Sequence, residues 1–297
     1  MSATPVRKAI IPAAGFGTRF LPIAKAVPKE MLPIVDRPVI AYVIEEAVRS
    51  GITDILLVIS REKRAIEEYF HSHPALEAAL TAKGKTRELG MVREPDTQAR
   101  LHFIWQQDMK GLGDAVCMGR SFAAGEPCAV LLGDTIVEAA PGQPPVTRQL
   151  LDIHAAHGGS VVAIEEVPAE KVSRYGIAGG DWLEPGIMKV NRWVEKPSLA
   201  EAPSRMAIAS RYVLTAGIFD CLARAMPGKA GEIQLTDAMK TLLEKESMFG
   251  LQFAGTRHDI GNPADFIKAN VHFGLQRPEM AAAIREYLSG LAGALNK

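Results

Sequence analysis

Short apolar runs alternate with stretches of helical period along most of the chain. Residues 8–12, 55–59 and 128–132 are β-rich and close to continuously apolar, as expected of parallel strands covered on both faces, and residues 101–105 read as a further strand. Between them Val39, Ile40, Val43, Ile44, Ala47 and Val48 recur at helical spacing, with Pro38 suited to the first turn and Gly51 to the stop. Residues 61–70 and 113–123 read as further helices. Residues 75–98 are polar and weakly patterned, and read as a helix followed by a mobile loop. A turn at 142–145 precedes a helix near 147–157. Residues 160–165, 186–194 and 205–214 read as strands, the last two antiparallel. Residues 234–245 and 263–275 read as helices, and 278–295 as an amphipathic helix outside the alternation. Strand–helix alternation without internal repeats predicts an α/β fold. We expect a Rossmann-like, doubly wound, mixed but mainly parallel sheet, with an insertion and a C-terminal helical tail.

Composition narrows the functional classes. The chain has 297 residues, 47% hydrophobic and 23% charged, which is ordinary for a globular domain. Lys+Arg and Asp+Glu are equal at 34 each, so no broad basic field invites nucleic acid. A polyanionic ligand would have to be held by a local cluster of cations. The opening MSATPVRKAIIPAAG is too polar for a signal peptide, and no apolar run has membrane-spanning length. Cys117, Cys128 and Cys221 are few and widely spaced, and read as reduced, buried thiols of a cytoplasmic protein.

Candidate chemistry begins after the first strand, at Ala13-Ala14-Gly15-Phe16-Gly17-Thr18-Arg19. Glycines let the backbone approach a ligand, and free N–H groups can bind phosphate. The dinucleotide fingerprint fails because Phe20 stands where its third glycine belongs, and no P-loop pattern is present. Arg19, Lys25, Lys29 and Glu30 follow within a few residues, making a cationic pocket in a neutral protein. That pocket suits a triphosphate whose leaving pyrophosphate needs neutralisation. Gln106 carries a donor and an acceptor that can pair with a base edge. Gly111 and Gly113 suit a backbone packed under a base. Asp134 directly follows a buried strand, where open α/β sheets bind ligands and where a carboxylate is a natural magnesium ligand. The histidines offer no nucleophile–base pair: His71 and His73 fall in a polar stretch, and His154 and His157 read as a surface face.

Residues 9–22, AIIPAAGFGTRFLP, followed by Pro28-Lys29-Glu30-Met31-Leu32-Pro33, closely resemble the bacterial UTP–glucose-1-phosphate uridylyltransferases of the sugar nucleotidyltransferase family. The resemblance continues in order through Gly111-Leu112-Gly113, Leu131-Leu132-Gly133-Asp134, Val172-Ser173-Arg174-Tyr175-Gly176, Val194-Glu195-Lys196-Pro197, Arg211-Tyr212-Val213-Leu214, Glu232-Ile233-Gln234-Leu235-Thr236-Asp237 and Asp259-Ile260-Gly261. It implies a nucleotidyltransferase domain over residues 1–275, with the insertion on the sugar side, and 276–297 as a helix of the same domain or of an oligomer interface. It places Ala13, Ala14, Gly15 and Gly17 against the nucleotide, and Glu30, Gln106 and Gly111 near the base. Gly176, Glu195 and Lys196 fall on the sugar-phosphate side, Arg19, Lys29 and Lys196 among the catalytic cations, and Asp259 beside Asp134 as the second metal position.

Asp114, Ser210 and Ala230 depart from the family pattern, where His, Gly and Gly are usual. Asp114 brings a negative charge near the nucleotide pocket, and Ser210 is expected to narrow the sugar pocket. The implied reaction joins UTP to glucose 1-phosphate with magnesium, by in-line attack on the α-phosphorus. An already ionised phosphate needs no general base. The implied state is a homodimer or homotetramer with no nucleic-acid or membrane partner. Two rivals stay open: a related enzyme with another base or sugar 1-phosphate, and a silent nucleotide-binding paralogue.

Overall fold

Nine strands form one mixed sheet in a computed structural model that describes residues 5–93, 99–228 and 231–295. Across the sheet the order is Arg100–Trp105, Asp54–Ile59, Lys8–Pro12, Cys128–Leu131, Met206–Leu214, Ser160–Glu166, Met248–Gln252, Ile187–Glu195, Gly176–Glu184. The first four are mutually parallel. Met206–Leu214 then runs antiparallel between Cys128–Leu131 and Ser160–Glu166, and Ile187–Glu195 is antiparallel to both of its neighbours. From the first strand the chain builds outward to one side and then returns to Cys128–Leu131 on the other. The switch in winding direction therefore lies between these two strands, where an open sheet leaves a crevice at the strands' carboxyl ends.

Alternate residues of the strands feed two cores. Ile11, Leu57, Leu131 and Val213 face Ile40, Val43, Ile44 and Leu150 of helices Val39–Arg49 and Val146–His157. Ile10, Leu56, Val130 and Tyr212 face Val116, Phe219, Leu222, Met239 and Leu242 of helices Leu112–Cys117, Gly217–Arg224 and Leu235–Leu243. Helices thus cover both faces, which is why the central strands read as unbroken apolar runs.

Several elements differ from the sequence reading. Residues 75–98 contain two helices, Pro74–Ala82 and Thr86–Arg93; residues 94–98, where the loop was expected, lie outside the described residues. The helix expected over 113–123 breaks at Met118–Gly119, where Gly119 packs on the first strand: a Cβ there would sit 2.3 Å from Ile10 Cδ1. The strands Gly176–Glu184, Met248–Gln252, Thr135–Ala139 and Gly255–Asp259 and the helix Gly217–Arg224 had no readable signal. The helices Pro263–Leu275 and Pro278–Leu295 match their expected bounds and pack together, a Cβ on Gly274 falling 2.7 Å from Ile284 Cδ1. None of the described helices is long and apolar enough to cross a membrane.

A buried ion pair braces the sheet near the crevice. Arg211 is fully buried and donates to Glu46 through Nε and Nη2, at 2.9 and 2.7 Å to Oε2. Glu46 also accepts from the amide and hydroxyl of Thr147, at 3.0 and 2.6 Å. Removing one partner strands a buried charge, so Arg211→Met should cost about 3–5 kcal/mol in denaturant unfolding; an unchanged midpoint would show that the pair is dispensable. Ser210, beside it, sits at a register break in its strand with φ of 64°. That left-handed backbone carries a Cβ penalty for any residue but glycine, which explains why the family pattern has glycine here. Ser210→Gly should raise unfolding stability by about 0.5–1 kcal/mol, the left-handed strain relieved exceeding the extra glycine entropy. Ala230 lies outside the described residues.

Candidate active site

The glycine loop leaves the first strand at the crevice. The Ala13 amide is spent on Val58 O at 2.8 Å, while those of Ala14 and Gly15 donate to no protein acceptor among the described residues. Gly15 has open space where a side chain would project. Gly17 takes φ of 67° and starts the 3₁₀ turn Thr18–Phe20; a Cβ on it would touch the Lys29 methylenes at 3.4 Å. The loop therefore carries free backbone donors and packs directly on a lysine. Gly133 closes the other wall: its amide donates to Pro12 O at 3.3 Å, and its bare Cα lies against Ala13 and Ile40.

Asp134 then meets Lys29, whose Nζ lies 2.5 Å from Oδ2. Burial pushes the Asp134 carboxyl up, but the Lys29 charge and hydrogen bond outweigh it and hold the group below the ordinary carboxylate range. Burial likewise opposes charge on Lys29, yet Asp134 and Glu30 together push its amine up. Both groups are ionised at neutral pH. Asp259 reaches the same place through the ribbon of Thr135–Ala139 and Gly255–Asp259, in which Asp259 pairs with Thr135. The Gly261 amide donates to Asp259 Oδ1 at 2.9 Å, and Arg19 Nη1 donates to Gly261 O at 3.3 Å. A Cβ on Gly261 would lie 2.8 Å from Asp259 Oδ1, 3.3 Å from Arg19 Nη1 and 3.9 Å from Asp134 Oδ2. Two carboxylates and two cations thus converge around one glycine. Lys25 is exposed at the edge of this loop.

Glu30 is 1% exposed and its carboxylate is held by Lys63, at 2.8 and 2.7 Å. Sequence reading missed Lys63, which lies in an ordinary Arg-Glu-Lys-Arg run. Gln106 is 5% exposed; its Nε2 donates to Asp114 Oδ2 at 2.7 Å and lies 3.5 Å from Gly111 O. Asp114 therefore does not stand free in the pocket: it anchors the amide. Gly111 adopts φ of 99°, and a Cβ on it would strike Glu232 Cβ and Ile233 O, both at 2.9 Å. The Gly113 amide donates to Ile233 O at 2.8 Å, so the two distant motifs are zipped together.

On the far side, Gly176, Glu195 and Thr236 meet: a Cβ on Gly176 would lie 3.1 Å from both Glu195 Oε2 and Thr236 Oγ1. Lys196 has φ of 44°, its amide donates to Tyr175 O at 3.0 Å, and its Nζ is 3.2 Å from Glu195 Oε1. Arg257, also missed, joins this side to the metal-type carboxylates. Its guanidinium lies over the Tyr175 ring at 4.9 Å, bonds Glu165 through Nε at 2.5 Å and approaches Asp259 Oδ2 at 3.7 Å. His154, expected on a surface face, is instead buried with Nδ1 2.6 Å from Gly159 O. A cavity of about 1010 Å³ is lined by Tyr42, Glu46, Glu138 and Gln276 among others, and by none of Arg19, Lys29, Asp134, Glu195, Lys196 and Asp259.

Comparison with known proteins points to one family. A family model described as nucleotidyl transferase matches residues 8–274. The UTP–glucose-1-phosphate uridylyltransferase of Bacillus subtilis (strain 168) is 47% identical over 292 residues, covering 98% of each chain. The UTP–glucose-1-phosphate uridylyltransferase 1 of Streptococcus pyogenes serotype M3 (strain ATCC BAA-595 / MGAS315) is 45% identical over 296 residues, covering 99% of this chain and 97% of the relative. Among solved structures, a UDP-glucose pyrophosphorylase complexed with UDP-glucose has a TM-score of 0.82 at 40% identity, covering 92% of this chain and 100% of the other. A UTP-bound UGPase from Acinetobacter baumannii reaches 0.88 at 33% identity, covering 95% and 98%.

Proposed function

The chain belongs to the nucleotidyl transferase family, and we propose that it transfers a uridylyl group from UTP to glucose 1-phosphate, giving UDP-glucose and pyrophosphate. The observation that carries this reading is the meeting of Lys29, Arg19, Asp134 and Asp259 around Gly261, beside the free amides of Ala14 and Gly15, at the switch point of the sheet. The curated relatives named above carry the same activity in their names.

In this reading the triphosphate lies along the glycine loop, with Arg19 and Lys29 neutralising the phosphates. Glu195 accepts from sugar hydroxyls, and Lys196 holds the sugar phosphate as a point charge. That phosphate is already ionised, so its oxygen attacks the α-phosphorus directly as the bond to pyrophosphate breaks. The residues act by positioning two anions and neutralising them, with no proton to remove. Asp134 and Asp259 fit a magnesium ion: both are acidic, both are ionisable at one spot, and two carboxylates are the number magnesium ordinarily takes from protein. When bound, it would supply charge neutralisation to phosphate oxygens.

Gln106 reads the base. Its NH₂ donates to Asp114 Oδ2 at 2.7 Å, which leaves the amide carbonyl oxygen as the free acceptor. That oxygen complements the N3–H of uracil and opposes the bare N3 of cytosine. Asp114→Ala lets the amide turn, and the kcat/KM ratio of UTP to CTP should fall roughly tenfold, the worth of about one hydrogen bond. A ratio equal to that of the unaltered chain would remove Asp114 from base selection.

Tyr287 and Leu291 of the terminal helix remain exposed, 67% and 41%, which supports a role for that helix in joining copies of the chain. The proposed reaction draws on a nucleoside triphosphate, which supports a cytoplasmic location for the chain. The decisive assay supplies UTP, glucose 1-phosphate and magnesium and measures pyrophosphate, alongside the other triphosphates and sugar phosphates. UDP-glucose is the expected product, and Asp134→Asn should lower turnover by at least ~100-fold with the fold intact. Faster turnover with another pair would move the chain elsewhere in the family, and no turnover with any pair would make it a binding paralogue.

A further inference from the structure

We propose a second metal site, for a zinc-class dication, formed by Glu138, His258 and His272. Glu138 and His258 project from the two strands of the ribbon, Thr135–Ala139 and Gly255–Asp259, and His272 from helix Pro263–Leu275. Thr256 pairs with Glu138 across the ribbon, so His258, two residues on, shares the Glu138 face. One ligand atom from each residue lies within 4.8 Å of the other two. His272 Nε2 is 2.8 Å and His258 Nε2 3.4 Å from the same Glu138 Oε2. Ligands at zinc distances of about 2.0–2.1 Å stand about 3.3 Å apart in a tetrahedron, so these separations bracket the spacing a bound ion needs.

The hydrogen bonding is unsettled without a cation. Gln276 Nε2 donates to Glu138 Oε1 at 2.7 Å and also faces His272 Nε2 at 3.0 Å. The carboxylate asks that nitrogen for an N–H, and the amide asks it for a lone pair. One imidazole nitrogen offers only one of these. A bound ion takes the lone pair and leaves Gln276 as the outer partner that orients the carboxylate. Imidazole and carboxylate donors suit zinc and its first-row neighbours better than magnesium. Entry is open, because Glu138 and Gln276 line the cavity of about 1010 Å³. The site differs from the phosphate cleft: neighbouring strand residues face opposite ways, so His258 looks to the helix while Asp259 looks to Gly261. The ion would pin the helix to the ribbon that carries Asp259.

The test is calorimetric titration of chelator-treated chain with zinc, in excess magnesium, with cobalt absorption reporting the coordination. One zinc per chain is expected, with a raised Tm and a tetrahedral cobalt spectrum. Affinity should fall at least ~10-fold in His272→Ala and in Glu138→Gln, which keeps the side-chain shape, and should hold in Asp134→Asn. Absence of zinc binding, or affinity unchanged from that of the unaltered chain in either variant, would overturn the site. Binding lost instead in Asp134→Asn would place the ion in the phosphate cleft and overturn it as well. These readouts are independent of turnover and stand or fall apart from the proposed reaction.

Discussion

The buried Arg211–Glu46 pair is the interaction on which the site geometry rests. Arg211 belongs to the strand that runs antiparallel to Cys128–Leu131, where its register partner is Leu131. Its Nη2 donates both to Glu46 Oε2 at 2.7 Å and to Thr135 O at 2.9 Å. One guanidinium thus ties helix Val39–Arg49 to the backbone immediately after Asp134. A charge so placed is costly to desolvate, and its hydrogen bonds must all be made for it to be tolerated. That requirement leaves the chain little freedom at residue 135, and therefore at Asp134 and, across the ribbon, at Asp259.

From that fixed point the electrostatics follow. The protein has no net charge, so its hold on polyphosphate is local. Lys29 and Asp134 pair with each other at 2.5 Å in the free chain, and Glu30 and Lys63 form a second, deeper pair behind them. Burial pushes the Glu30 carboxyl up and the Lys63 amine down, each opposing the charge that the other favours. The cations are thereby held in place before any substrate arrives, so little reorganisation is left for the reacting state. Glycines set the remaining distances: Gly133 brings the Asp134 strand against the loop, and Gly111 and Gly113 bring the base-side loop against Ile233.

The chain's own order determined much of this. The apolar runs at 8–12, 55–59 and 128–132 mark central strands, because only a strand covered on both faces has no need of polar positions, whereas Arg100–Trp105 lies at the sheet edge and keeps exposed positions. The motif Gly15-Phe16-Gly17-Thr18-Arg19 and the strand-ending Asp134 were legible because their chemistry is local: free backbone donors need glycine, and a ligand crevice lies at strand ends. The helices Pro263–Leu275 and Pro278–Leu295 were legible to the residue because proline opens each one.

Tertiary structure alone decided the rest. The ribbon strands Thr135–Ala139 and Gly255–Asp259 are short and partly polar, so no period marks them, yet they carry Asp259 to Asp134 over more than a hundred residues of sequence. Lys63, Arg257 and the His258–His272 pair gain meaning only from partners far along the chain, which no spacing within the sequence encodes. Asp114 read as an intruding charge until the fold set it 2.7 Å from Gln106 Nε2. Ser210 read only as a bulkier side chain, and the fold adds a backbone demand at that position, with φ of 64°. Sequence specifies local conformation and chemical type through short-range sterics and hydrophobic period. Which charges face each other depends on the distances between elements, and those arise only when the sheet closes on its two cores.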